Sequence, residues 1–274
     1  LEEEGLVGMY AVSALPKGEP QSTCIVLTGS SDRAFVSCNS SNPQLNPFIV
    51  KKSVFTPLRM ANKKIKHVHI GGYFCCPNLQ VQDFASLLVM EKTKEPSMTI
   101  SLDTNFDASG KWDGQGHLKS LLPLVDILFP NELEACGISG GAKTPELALE
   151  TLTSLYPDCL VVITLGETGV IAGHGVLRYK FPGFLLDVSQ VKDTTGAGDA
   201  FKAAFLSEYL DAGASGSARE PNGVIGKIEL ALQMGCAAGA LCVGQHGACN
   251  EHFTKQNLLD FIGRSSLRQD DFDL

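Results

Sequence analysis

The feature that most constrains this chain is an alternation that begins near residue 66, where short apolar runs of strand length are separated by segments whose apolar residues recur at helical spacing. Strands are expected at Val68–Gly71, Met98–Leu102, Leu124–Phe129 and Leu160–Leu165. Helices are expected between them at Gln80–Lys92, Gly116–Leu122 and Thr144–Leu155, the last opened by Thr144-Pro145-Glu146 with Thr as N-cap and Pro in the first turn. Further helices follow at Ala197–Leu210, Lys227–Val243 and Thr254–Ile262, with Asp211–Gly226 as a connector rich in Gly, Ser and Ala. Strands that are apolar on both faces need cover on both sides, so the pattern predicts an α/β fold with a mostly parallel sheet between helix layers. The first 45 residues read differently: Gly8–Leu15, Cys24–Leu27 and Ala34–Cys38 are strand-like, with a turn at Gly29–Arg33. They form a small β appendage, which gives expected domains of 1–45 and 46–274.

Composition narrows the function classes. With 274 residues, 44% apolar and 19% charged, the chain can bury one large core. A formal net charge of −8 argues against nucleic acid or an anionic membrane as partner. Nine cysteines, including the neighbours Cys75 and Cys76, contain no C-x-x-C unit and read as reduced thiols. No apolar run approaches the roughly 20 residues that span a bilayer, and Leu1-Glu2-Glu3-Glu4 has no basic flank of an export signal. A cytoplasmic protein is expected.

In an open α/β sheet, ligands bind beyond the carboxyl ends of the strands. Three apolar runs end in polar clusters: Asp103-Thr104-Asn105, Asn131-Glu132-Leu133-Glu134 and Thr164-Leu165-Gly166-Glu167-Thr168-Gly169. Each alone is equally a set of helix caps; three together favour a site. The most specific segment is Asp193-Thr194-Thr195-Gly196-Ala197-Gly198-Asp199, followed by a helix with Phe201 and Phe205 one turn apart. Glycines at a helix start allow close approach, and the free N–H groups there favour an anion. Asp199 in the first turn offers a carboxylate base.

This seven-residue string resembles the D-T-x-G-A-G-D signature of the PfkB/ribokinase family of carbohydrate and nucleoside kinases. The resemblance implies a ribokinase-like three-layer α/β/α fold with a small β-sheet lid over residues 1–45. It also implies an ATP-dependent kinase acting on a hydroxyl of a sugar or nucleoside, with Asp199 as general base and the backbone of Gly196, Ala197 and Gly198 as anion hole. By the same match Asn105, Asn131, Glu134, Thr164, Gly166, Gly169, Thr195 and Gly247 attend the nucleotide, and Glu134 organises Mg2+ through water. Val243-Gly244-Gln245-His246-Gly247-Ala248 resembles the late loop that covers adenine, and Asp193 is implied in a monovalent-cation (K+) site. A homodimer through the lid is a further implication. No Walker A string and no protein-kinase signature set is present.

Two departures stand beside the match. The family's usual first strand and Gly-Gly loop with Asn lie upstream of what this chain contains, so a truncated sequence or a diverged paralogue is expected. Asp107 stands where many sugar kinases carry Arg, and Gly244 and Gln245 where Thr and Arg are common. The rival expectation is therefore a catalytically impaired regulatory or assembly protein of the same fold. The vitamin-kinase branch is disfavoured because its Gly-rich turn usually carries Cys. His67 and His69 share a strand face without a partner at ligand spacing, Cys236 and Cys242 read as core, Phe106 and Trp112 as loop anchors, and Glu132 as an exposed first-turn acid.

Overall fold

The computed structural model describes residues 20–28, 33–211, 221–248 and 254–268. The chain divides into two units, Leu1–Asp126 and Ile127–Leu274. Its class is three-layer α/β/α, with a larger mixed sheet and a small antiparallel one.

In the first unit, β1 (Thr23–Thr28) and β2 (Arg33–Cys38) form an antiparallel ribbon in which Ile25 faces Val36. These are two of the three appendage strands; Gly8–Leu15 and residues 29–32 of the turn lie outside the described residues. A helical stretch not foreseen from the sequence follows: α1 (Pro47–Val50), a π turn over Lys51–Phe55, and α2 (Thr56–Met60). Its start carries an ordinary signal, since Asn46 Oδ1 accepts a bond from Ile49 N at 3.0 Å and Pro47 occupies the first turn.

Parallel strands β3 (His67–Gly71) and β4 (Thr99–Asp103) are joined through α3 (Gln82–Lys94), which buries Phe84, Leu87 and Leu88. The same face of α3 buries Glu91, whose carboxylate accepts from Arg59 Nε and Lys94 Nζ, each at 2.7 Å. Burial alone would raise this carboxyl, but the bonds from Lys94 and Arg59 outweigh it and hold it below the usual carboxylate range. The expected helix at Gly116–Leu122 shrinks to α4 (Leu118–Leu121). Gly114, Gln115 and Gly116 all take positive φ, and Pro123 ends the helix in a 3-10 turn at Leu122–Leu124. That turn also takes the first part of the strand expected at Leu124–Phe129.

In the second unit, only β5 (Ile127–Leu128) of that strand remains, because Pro130 stops the ladder. After α5 (Glu132–Ile138) and α6 (Pro145–Leu155), β6 (Leu160–Thr164) runs parallel to β5. A hairpin the sequence reading did not contain then makes the sheet mixed: β7 (Gly169–His174) pairs antiparallel with both β6 and β8 (Leu177–Pro182). Gly175 takes φ 56° at the first position of its two-residue loop, which side chains rarely adopt.

Strand parity builds the layers here. Leu160, Val162, Val170 and Ala172 join Phe201 and Phe205 of α7 (Ala197–Asp211) and Ile228, Ala231 and Leu232 of α8 (Pro221–Val243) in one buried cluster. Gly173, of opposite parity, packs toward Leu149 and Thr153 of α6. Each buried Phe of α7 contributes about 2 kcal/mol, which anchors the helix whose start carries the decisive motif. α7 and α8 approach closely at Gly235, where a Cβ would stand 2.7 Å from the Phe201 ring.

α8 begins at Pro221, so the connector expected over Asp211–Gly226 is shorter than the composition suggested, and residues 212–220 lie outside the described set. Residues Gly226–Val243 of this helix are long and apolar enough to cross a membrane by length and composition alone. Its buried face belongs to the core, through Ile228, Leu232, Met234 and Ala238. Met234, Ala237 and Ala238 continue that core onto Phe184 and onto Leu258 and Phe261 of α9 (Lys255–Arg264), which Thr254 caps.

Candidate active site

The loop before α7 is set by two residues. Gly196 has φ 83°, and a Cβ there would lie 2.6 Å from Ala248 O, so both the dihedral and the contact require glycine. Asp193 joins the same two segments: Oδ1 accepts from Thr195 N at 2.9 Å and Oδ2 from Gly247 N at 3.1 Å. Backbone bonds from Lys192 N (2.8 Å) and Asp193 N (3.2 Å) to Val243 O complete this frame. Asp193, Thr195, Gly196 and Gly247, separated by up to 54 positions, are thereby brought together. The exposed start of α7 follows, with Gly198 and Asp199 open to solvent. Its N–H groups and helix dipole face that opening, a setting suited to an anion.

A second group forms at the ends of β5 and β6. Asn131 and Thr164 make a parallel bridge, and Thr164 N donates to Pro130 O at 3.1 Å. Asn131 caps α5 in a reciprocal box: its Oδ1 accepts from Glu134 N at 2.9 Å, while Glu134 Oε2 accepts from Asn131 N at 3.0 Å. Asn131 Nδ2 donates to Glu134 Oε1 at 2.9 Å, so the two side chains hold one another and Glu134 is buried. Glu132 is exposed. In the Thr164–Gly169 turn, Gly166 has φ 61° with open space around its Cα, whereas Gly169, at φ 116°, abuts the backbone of Pro182 and Gly183. Glu167 pairs with Arg268 at 2.7 Å.

In the first unit, Asp103 Oδ1 accepts from Asn105 N at 3.1 Å, and Asn105 adopts φ 58° with its Oδ1 accepting from Phe106 N at 2.8 Å. Asp107 folds its own loop: its carboxylate accepts from Ser109 N (2.9 Å), Ser109 Oγ (2.8 Å) and Trp112 N (2.6 Å). Burial would raise this carboxyl, but the bonds from Ser109, Trp112 and Lys111 outweigh it and hold it low. Trp112 packs edge-on against Phe106 and Phe74, as a loop anchor does. His67 and His69 do share a face, and they bond to Ser101 and, for His67, Thr99. Among the described residues no cluster of three or more His, Cys, Asp or Glu could hold a metal ion. Cys242 is buried, and burial pushes the Cys236 thiol up to about 12, which makes it a packing group and not a nucleophile.

A profile of the pfkB family carbohydrate kinases matches residues 11–255. The chain belongs to that family. Within it, the chain is 37% identical over 127 residues to the ATP-dependent 6-phosphofructokinase of Thermoanaerobacterium thermosaccharolyticum, covering 45% of this chain and 38% of the relative. It is 38% identical over 92 residues to the cytidine kinase of Thermococcus kodakarensis, covering 34% of this chain and 32% of that enzyme. The chain thus spans less than half the length of either relative. The structure of ribokinase from Giardia lamblia superposes with a TM-score of 0.69 at 23% identity, over 90% of this chain and 72% of that one, which shows the shared fold.

One residue of this pfkB chain escaped the sequence reading. Lys202 Nζ lies 3.2 Å from Asp199 Oδ1. The signal available was the i, i+3 spacing of opposite charges across the start of a helix.

Proposed function

We propose that this chain is an ATP-dependent kinase that transfers the γ-phosphoryl group to a hydroxyl of a sugar or nucleoside. The observation that carries the reading is the start of α7, where the Asp199 carboxylate stands 79% exposed beside a backbone that Gly196 and Asp193 hold in place. Asp199 accepts the proton of the attacking hydroxyl, and the N–H groups of Gly196, Ala197 and Gly198 offset charge on the transferring group. A Mg2+ ion arriving with the nucleotide would offset the charge of its phosphates. Glu134, whose two carboxylate oxygens accept from Asn131, would reach a Mg2+ ion brought by the nucleotide only through water, since Mg2+ usually keeps several waters. Asp193, whose carboxylate accepts from Thr195 N and Gly247 N, would supply negative charge to a K+ site in the same proposal. Thr164, Gly166 and Gly169 attend the nucleotide in the same proposal, which carries a cytoplasmic location with it as a further proposal. The relatives act on phosphofructose- and cytidine-type acceptors by their names, which supports a small-molecule hydroxyl and leaves both classes as candidates.

The test is phosphoryl transfer from ATP with Mg2+ over ribose, fructose, adenosine and 2-keto-3-deoxygluconate. Turnover of one class well above ATP hydrolysis in water is the expected result. ATP binding without transfer to any acceptor would favour the regulatory alternative.

A further inference from the structure

We propose that Lys202 is a second working cation of this site, holding the Asp199 carboxylate in the resting chain and turning to the terminal phosphoryl group of a bound nucleoside triphosphate. The inference rests on the reading of Asp199 as the base. Three observations carry it.

The first is where the ammonium sits. Lys202 Nζ is 3.2 Å from Asp199 Oδ1, and a Cβ on Gly198 would stand 3.9 Å from it. The charge therefore lies at the glycine-lined opening and not out along the helix flank. Helical side chains lean toward the N-terminus of their own helix, so a lysine in the second turn reaches this point without strain.

The second is the contrast in exposure. The Lys202 side chain is 15% exposed, its partner 79%. A surface lysine normally keeps its head in water with a mobile stem; here the stem is packed and delivers the head to an open carboxylate. An ion pair with one solvated partner is weak, so a better anion can replace Asp199.

The third is the sign of the local field. Cations are favoured at helix C-termini and disfavoured at N-termini, where the free N–H groups already carry positive charge. Lys202 adds charge of the same sign to that end of α7. Asp199 offsets this in the resting chain, and an incoming phosphoryl group, more highly charged and able to accept from both ammonium and backbone, offsets it better. The exchange also frees the Asp199 carboxylate when the donor is in place.

Calorimetry with ATP and with ADP on the 274-residue chain tests this, using Lys202→Met, which keeps the apolar stem, and Lys202→Arg, which keeps the charge. Lys202→Met should weaken ATP binding about tenfold, as loss of one charge-assisted contact does, and ADP binding less than about twofold. Lys202→Arg should retain ATP affinity within about threefold. In turnover, Lys202→Met should lower kcat about tenfold or more while the acceptor KM stays the same. ADP affinity doubles as the control for folding. ATP binding equal to the parent in Lys202→Met, or equal losses for ATP and ADP, would overturn the inference and leave Lys202 a structural partner of Asp199. Asp199→Asn on the same preparations separates the two levels. If it is inactive while Lys202→Met keeps the parent's ATP to ADP ratio, only the role of Lys202 fails; if it is fully active, the base reading fails and this inference with it.

Discussion

A proton acceptor has to be reachable and held, and Asp199, proposed for that role, is positioned through its neighbours more than through its own burial. Its carboxylate is open, Lys202 lies 3.2 Å away, and the backbone before it is fixed by Gly196 against Ala248 and by both oxygens of Asp193. Asp199→Asn keeps the size of the side chain and removes the proton-accepting capacity. Turnover should fall roughly 10²- to 10⁴-fold, while ATP affinity is retained or rises, because the anion-binding backbone does not depend on the carboxylate and Lys202 no longer has to leave it, and the melting temperature changes little, because a helix-end acid contributes only about 0.3–1 kcal/mol. Phosphoryl transfer, calorimetry and melting on one preparation check this, and an Asn variant with full activity would remove Asp199 from the mechanism. At this scale much of the site was legible. Asp193, Gly196 and Asp199 lie within seven consecutive residues whose types are individually demanded by a dihedral, a close contact and a charge. What the string did not contain was the 54-residue step from Asp193 to Gly247, or the occupation of Asn131 and Glu134 by each other, since both depend on where the chain returns in space.

Elements supply the positions, and their own electrostatics supply a pH dependence away from the site. On β3, His67 bonds to Thr99 and Ser101 of β4 at 2.8 Å each. Burial, reinforced by the neighbouring His69 and opposed by Asp126, lowers its pKa from 6.5 to about 4. A histidine whose folded value lies below its unfolded one is neutral in the fold, while the unfolded chain takes up a proton first as pH falls. The stability from this group is therefore complete above about pH 6.5 and is lost progressively toward pH 4. The partly open position of His67 screens the effect, which should amount to about 1–2 kcal/mol. Denaturant titrations between pH 7 and 4 should show the parent losing more stability than His67→Gln, which keeps hydrogen bonding without the titration; parallel curves would rule the effect out. The strands β3, β4 and β6 are legible in the sequence to within a residue or two, β6 because its apolar residues run unbroken and β3 and β4 because apolar residues alternate with His, Thr and Ser at strand spacing. Sequence reading missed β7 and β8, where Gly173, His174, Gly175, Arg178 and Lys180 break the apolar pattern, although Val170, Ala172 and Tyr179 are buried in the cluster shared with α7 and α8. It overextended β5, where Pro123 and Pro130 confine the ladder to two residues.

The whole molecule carries a net charge of −8, yet its ribbon presents an uncharged apolar face. Ile25 and Leu27 share one side of β1 by strand parity, Val36 lies opposite Ile25 on β2, and all three are more than half exposed. A two-stranded ribbon is marginal on its own, and an exposed apolar face of this kind is stabilised when another surface covers it. We therefore propose that a second copy of this chain covers it, ribbon against ribbon, which makes each face self-complementary under a two-fold axis. Two copies bring together a charge of −16, twice −8, so repulsion opposes the contact at low ionic strength. Screening over about 10 Å at 0.1 M salt should relieve most of it, and salt also strengthens apolar burial, so association should rise with ionic strength. Sedimentation equilibrium at moderate salt should give about twice the 29.2 kDa chain mass. Leu27→Asp should return the single-chain mass with an unchanged melting profile of the α/β core, because Leu27 lies on the exposed ribbon face and outside the two clusters that α7, α8 and α9 build. A parent that sediments as a single chain across the salt range would dismiss the ribbon as a dimer surface.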